Sequence, residues 1–79
     1  MRTAILCFSA HGERAARKLA LTSDETVVRV APGSLSKTVS KLWADSDALV
    51  FLSSLGVAVR ASAPHLRDKA EDPAVIVVT

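Results

Sequence analysis

The sequence predicts an α/β fold: a small three-layer αβα domain built on a four-stranded parallel sheet. Three observations carry this. Four apolar runs of strand length, Thr3–Phe8, Thr26–Val30, Ala48–Leu52 and Ala74–Val78, recur along the 79 residues. The stretches between them place apolar residues at helical spacing. Every connection is short, so strands alternate with helices, and right-handed crossovers then make the sheet parallel.

Length and composition bound the rest. A chain this short forms one domain and buries only about 60–65% of its extended surface. Apolar residues make up 49% and charged residues 23%, the balance of a folded globular chain. With two Phe, one Trp and no Tyr, the core must be Ala, Val and Leu, which suits slim helices lying close on a sheet. Net charge is +2, with the basic excess confined to residues 1–43. Those basic residues sit at helix spacing on solvated faces. They lack the concentrated patch and interleaved aromatics of a nucleic-acid surface, so no nucleic-acid partner is expected. The apolar start, TAILCF, is cut short by charges from Glu13 to Lys18, too early for a signal peptide or membrane span. Cys7 is the single cysteine and lies within an apolar strand, which reads as a buried, inert thiol in a reducing compartment. A cytoplasmic protein with no membrane partner is the expectation.

The first strand, Thr3–Phe8, is apolar without alternation, as for a strand covered on both faces. Ser9-Ala10-His11-Gly12 turns into a helix over Gly12–Leu21. Ala15, Ala16, Leu19 and Ala20 share one face, and Glu13 with Arg17 makes an i,i+4 pair in the favourable order. Ser9 or His11 can cap it, and Thr22–Glu25 ends it. Arg29 marks the second strand as an edge, because a central strand would bury the charge. Leu35, Val39, Leu42 and Trp43 form a stripe in a helix over Ser34–Ala44, with Ser34 or Ser36 as cap and Trp43 packed on the sheet. After the third strand, Ala48–Leu52, helical character runs through Val57–Ala63. Pro64 then imposes a kink, or restarts a short helix ending near Lys69. Asp72-Pro73 precedes the fourth strand, Ala74–Val78.

With strand two at an edge the order is 2-1-3-4, a flavodoxin-like start, and the switch point falls between strands one and three. The fourth strand then lies bare at the other edge, without Lys, Pro or bulge to protect it. A continuation of the polypeptide or a partner is expected to cover it, so that residues 1–79 are one domain of a larger protein.

The loop ends converging at the switch point are Ser9–Gly12 and Ser53–Gly56. Gly56 lets backbone approach a ligand, and the helix after it offers N–H groups to an anion. Arg60, one turn on, can add a bidentate contact to a carboxylate or phosphate. The plainer readings are a tight turn for Gly56 and a solvated side chain for Arg60. His11 can donate a hydrogen bond or act as a base, though a lone loop histidine more often does neither. Ser53 and Ser54 with His65 and Asp68 contain the ingredients of a nucleophilic triad, but no G-x-S-x-G elbow presents the serine. Two distant histidines and one strand cysteine make no metal cluster. The dinucleotide and P-loop glycine patterns are missing. A receiver-type phosphoacceptor would need Asp at the end of strand three, where Leu52-Ser53 stand.

One stretch carries a resemblance. Leu55-Gly56-Val57-Ala58-Val59-Arg60, Ala63-Pro64, Leu66, Asp68-Lys69 and Asp72-Pro73-Ala74-Val75-Ile76-Val77-Val78 resemble the N-terminal domain of the CbiG-type cobalamin biosynthesis proteins, the cobalt-precorrin-5A hydrolases of the anaerobic pathway. The order and spacing of GxxxR, AP, L, DK and DPAV together are specific, and the match spans Asp47–Val78. The resemblance implies an enzyme that opens the δ-lactone of cobalt-precorrin-5A and releases acetaldehyde. It implies further domains beyond this one, so the 79 residues alone hold at most part of a site. Cobalt would arrive within the substrate, and no separate cofactor is required. Gly56 and Arg60 are the matching positions able to touch a substrate rich in carboxylates, joined from the opposite loop by Ser9 and His11 and beside them by Ser53 and Ser54. No catalytic base is assigned. Two other classes stay open: a non-catalytic anion- or tetrapyrrole-binding module, and a docking domain that recruits a partner through strand 74–78.

Overall fold

A computed structural model describes residues 1–20, 24–67 and 71–79. The elements are β1 (Thr3–Cys7), α1 (Ala10–Leu19), β2 (Glu25–Arg29), α2 (Leu35–Trp43), β3 (Ala48–Leu52), α3 (Leu55–Ser62), a 3₁₀ turn (Ala63–His65) and β4 (Ala74–Val78). The four strands form one parallel sheet in the order β2-β1-β3-β4. Pairing is regular: Ile5 stands opposite Val27 on one side and Val50 on the other, and Val50 stands opposite Ile76.

Period-two alternation divides the apolar residues of this sheet between its faces. Ala4, Leu6, Leu49 and Phe51 point to one side and pack with Val39 of α2 and with Ala58 and Ala61 of α3. Trp43, Leu42 and Val77 lie against that cluster. Ile5 and Cys7 point to the other side and meet Ala16 of α1, with Val27, Val50 and Leu52 around them. The layering is therefore α1, sheet, then α2 with α3. Helices α1 and α3 touch the sheet largely through alanines, while α2 does so through Val39, Leu35, Leu42 and Trp43.

Several element ends differ from the sequence reading. Helix α1 starts at Ala10 rather than Gly12, because Ser9 takes extended backbone and its Oγ accepts from the Gly12 N–H at 2.9 Å. It ends at Leu19, and residues 21–23, where its end was expected, lie outside the described residues. Ser34 stands at the start of α2, but its hydroxyl donates to the Ala31 carbonyl at 2.7 Å instead of accepting from the helix. Helix α3 begins two residues before the expected Val57, with Ser54 as cap. Pro64 sits within the 3₁₀ turn, where its missing N–H interrupts no α-helical ladder. The continuation expected near Lys69 falls outside the described residues. Both β3 and β4 match their expected spans.

Arg29 does lie on an edge strand, and its side chain stays 48% exposed while reaching Glu13 of α1 at 3.2 Å. Glu13 also takes Arg17 at 2.9 Å. These hydrogen bonds, first from Arg17 and then from Arg29, hold the Glu13 carboxyl below the usual carboxylate range. On the opposite side, Trp43 Nε1 donates to Asp72 at 3.4 Å and its ring lies 5.5 Å from that of His65. That cluster ties α2 to the approach of β4. Cys7 is buried, and desolvation, with Glu13 adding a smaller effect, raises its thiol pKa.

Two stability outcomes follow from this packing. Phe51 is fully buried, so Phe51→Ala should cost about 3–5 kcal/mol, a large share of the roughly 4–12 kcal/mol normal for this length. Urea unfolding measures it. Because Glu13 is depressed in the folded state, its ion pairs stabilise at neutral pH and are lost as pH falls through the folded value. The Tm difference between wild type and Glu13→Gln should therefore be positive at pH 7 and vanish in acid, once the pH is below the lowered folded value of the carboxyl. A difference that persists at low pH would show that Glu13 acts by packing.

Candidate functional site

The carboxyl ends of β1 and β3 are neighbours in the sheet, so the loops that leave them lie side by side. Ser9, His11 and Gly12 from the first loop meet Leu52, Ser53 and Ser54 from the second across an open crevice of about 470 Å³. Ala15 of α1 and Val78 and Thr79 at the end of β4 complete its wall. This is where an open α/β sheet reverses its winding, and both flanking helices begin there.

Each helix start is built the same way. Ser9 Oγ accepts from Gly12 N, and Ser54 Oγ accepts from Val57 N at 3.4 Å. In each case the serine satisfies the third N–H of the helix and leaves the first two for an outside acceptor. Those belong to Ala10 and His11 in α1, and to Leu55 and Gly56 in α3. Of these four residues only His11 lines the crevice, so the bias toward an anion there comes from the start of α1. Ser53 Oγ is turned aside, donating to the Ser54 carbonyl at 3.0 Å. Gly12 packs closely in this turn: a Cβ there would lie 3.2 Å from Ser9 Oγ and 3.5 Å from Cys7 Cβ. The second is an ordinary contact, and the first would ask the capping hydroxyl to move by a few tenths of an ångström.

The crevice thus gathers Ser9, His11, Ser53 and Ser54. Gly56 and Arg60 are not in its wall. Gly56 occupies the first turn of α3, and Arg60 folds back so that its Nε donates to the Gly56 carbonyl at 3.3 Å. Its guanidinium lies over that first turn, outside the crevice. His65 is elsewhere, 3.5 Å from Ser40 and beside Trp43, and Asp68 lies outside the described residues. Among the described residues, no group of three His, Cys, Asp or Glu side chains is placed to hold a metal ion. No described helix is long and apolar enough to cross a membrane. A larger hollow of about 860 Å³ runs along the outer surface of α2 past Lys37 and Lys41. It is a solvated helix face where no strand ends converge.

Sequence reasoning placed Gly12 in the converging loop but missed Leu52, Val78 and Thr79 as crevice residues. Gly12 was visible as a turn residue, but its contact with Cys7 needs the structure. The place of Val78 depends on the β3–β4 register, which no local pattern encodes.

With this geometry in view, the comparisons with known proteins bear on the same half of the chain. The family model described as Cobalamin synthesis G N-terminal matches residues 37–79, just over half the sequence. The cobalt-precorrin-5A hydrolase of Salmonella typhimurium is 39% identical over 46 residues, which is 58% of this chain and 13% of that relative. The chain therefore spans only a small part of the curated relative it matches. No solved structure matches the chain. The matched half contains β3, α3 and β4, and with them one side of the crevice, and on this ground the chain belongs to the cobalamin synthesis G N-terminal family.

Proposed function

We propose that this domain serves in cobalamin biosynthesis as the N-terminal part of a cobalt-precorrin-5A hydrolase, which opens the δ-lactone of its substrate and releases acetaldehyde. The observation that carries this reading is the family match over residues 37–79, joined by the identity to the Salmonella typhimurium hydrolase. The flavodoxin-like character of the sheet and a cytoplasmic location belong to the same reading.

The crevice supports a binding role within that reaction. A corrin intermediate bears several carboxylates, and the first turn of α1, with His11 in the wall, offers backbone N–H groups to such a group. His11, in the first turn of α1, adds an imidazole donor at the rim. Arg60 is exposed over the start of α3 and can take a second carboxylate bidentately once it leaves the Gly56 carbonyl. Ser9 and Ser54 hold the helix starts in shape. Cobalt enters as part of the substrate and asks for no ligands from this chain. Neither serine hydroxyl is paired with an imidazole base, so lactone opening draws on groups beyond these residues. In the domain's own share of the work, substrate carboxylates are seated and the macrocycle oriented.

The test is titration of the 79-residue chain with a carboxylated corrinoid, followed by calorimetry. Saturable binding is expected, weakened about 10–100-fold by Arg60→Ala or His11→Ala, the range for losing one charge-assisted hydrogen bond. It should also weaken as salt is raised. Absence of binding, or binding indifferent to both substitutions, would remove the crevice from the substrate path. Acetaldehyde release by a longer protein carrying the domain tests the reaction itself.

A further inference from the structure

Two exposed features lie next to each other at β4. Among the described residues the strand forms one edge of the sheet, and the backbone groups on its outer side have no ladder partner there. All five of its residues are apolar and pair regularly with β3, so neither charge, proline nor bulge discourages a further strand. Beside it, on the face that carries α2 and α3, runs an apolar groove of about 290 Å³ between α3 and β4. Leu55 and Val59 form its helical wall at i,i+4 spacing and are 60% and 55% exposed. Leu66 closes one end at 56% exposed. Ser62 also lines the groove. It is only 5% exposed, and its Oγ has no hydrogen-bond partner. A hydroxyl buried without a partner is costly unless something absent from the picture satisfies it.

Topology connects the two features. The crossover from β3 to β4 passes on this face and moves outward across the sheet. Another right-handed crossover from β4 to a parallel strand beyond it would pass on the same face. Its helix would fall into the groove beside α3, and its strand would meet the open edge of β4. The family match is to an N-terminal region, and the matched stretch is 13% of the Salmonella typhimurium relative, so that relative has ample polypeptide to supply such a unit.

We propose that the open edge of β4 and the groove lined by Leu55, Val59, Ser62 and Leu66 are one docking surface. Its occupant is a helix–strand unit from the polypeptide that follows this domain in longer relatives. The strand becomes the fifth of the parallel sheet. The helix lays an apolar stripe against Leu55 and Val59 and brings a polar group to the Ser62 hydroxyl. This inference rests on family membership and sheet geometry, and not on the reaction proposed above.

The probe is the part of the Salmonella typhimurium hydrolase C-terminal to the matched region, expressed separately and mixed with the 79-residue chain. Sedimentation should show a one-to-one complex. Amide hydrogen exchange should slow at least tenfold at the β4 positions that do not bond to β3. Val59→Asp and, independently, Leu55→Asp should abolish the complex. Both side chains are more than half exposed, and circular dichroism identifies a variant that has lost its fold. Unchanged exchange in the mixture would overturn the proposal. So would a chain that protects the same amides by pairing with its own copy, since that makes a second copy the occupant. Either result leaves the corrinoid titration untouched, so the two readings fail separately.

Discussion

The structure depends on one constraint: β1 must be covered on both faces and both edges. Ala4, Ile5, Leu6 and Cys7 are each no more than 2% exposed. A strand held this way leaves little room above or below it, and α1 and α3 meet the sheet through Ala16 on one side and Ala58 and Ala61 on the other, with Val39 of α2 beside the latter. Small residues let helix axes come close, and close helices are the way so few large side chains can still fill a core. With β2 and β3 forced to the two sides of β1, the chain must reverse its winding there. The crevice is a consequence of that reversal, since two helices then start from adjacent strand ends.

The chemistry available in the crevice is correspondingly narrow. Its serine hydroxyls are committed to backbone partners, Ser9 and Ser54 as acceptors and Ser53 as a donor. Glu13 is the acidic side chain in the first turn of α1, and Arg17 and Arg29 hold it on the outer surface. What the wall leaves over is the first turn of α1 and one imidazole. A helix start holds negative charge well, and the imidazole is the group in this wall suited to proton transfer.

Much of this was legible in the sequence because the strands are bounded apolar runs, and β3 and β4 matched residue for residue. Arg29 identified its strand as an edge through the cost of burying a charge. Helix starts were harder. Gly12 and Gly56 read as turn glycines, whereas both lie within first turns, and the serines before them make the caps. A Ser three residues before an ordinary helical residue carries little signal without the cap geometry itself. The Gly56–Arg60 spacing did put the two side by side, since four residues are about one helical turn. It could not reveal that their shared face looks away from the crevice. Likewise Val78 joins the crevice wall only through the strand register, a long-range property.

Burial falls away across the sheet from β1 toward β4, and that gradient joins the two surfaces of the domain. Leu49 and Phe51 are fully buried in β3, while Val75, Ile76 and Val78 of β4 are 37%, 47% and 44% exposed. Helix α1 lies chiefly over β1 and β2, and Ile76 and Val78 stay close to half exposed on that face. Strand β4 is therefore held chiefly by its ladder to β3 and by one side of α3, and local opening will concentrate there. Yet Val78 and Thr79 form part of the crevice wall. A strand added to the edge of β4 would hold that wall in place, and a ligand already seated in the crevice would lower the ordering cost of adding the strand. Each event would reduce the entropy the other must overcome, so the proposed docking at the edge and the proposed binding in the crevice would be positively coupled without any change of shape.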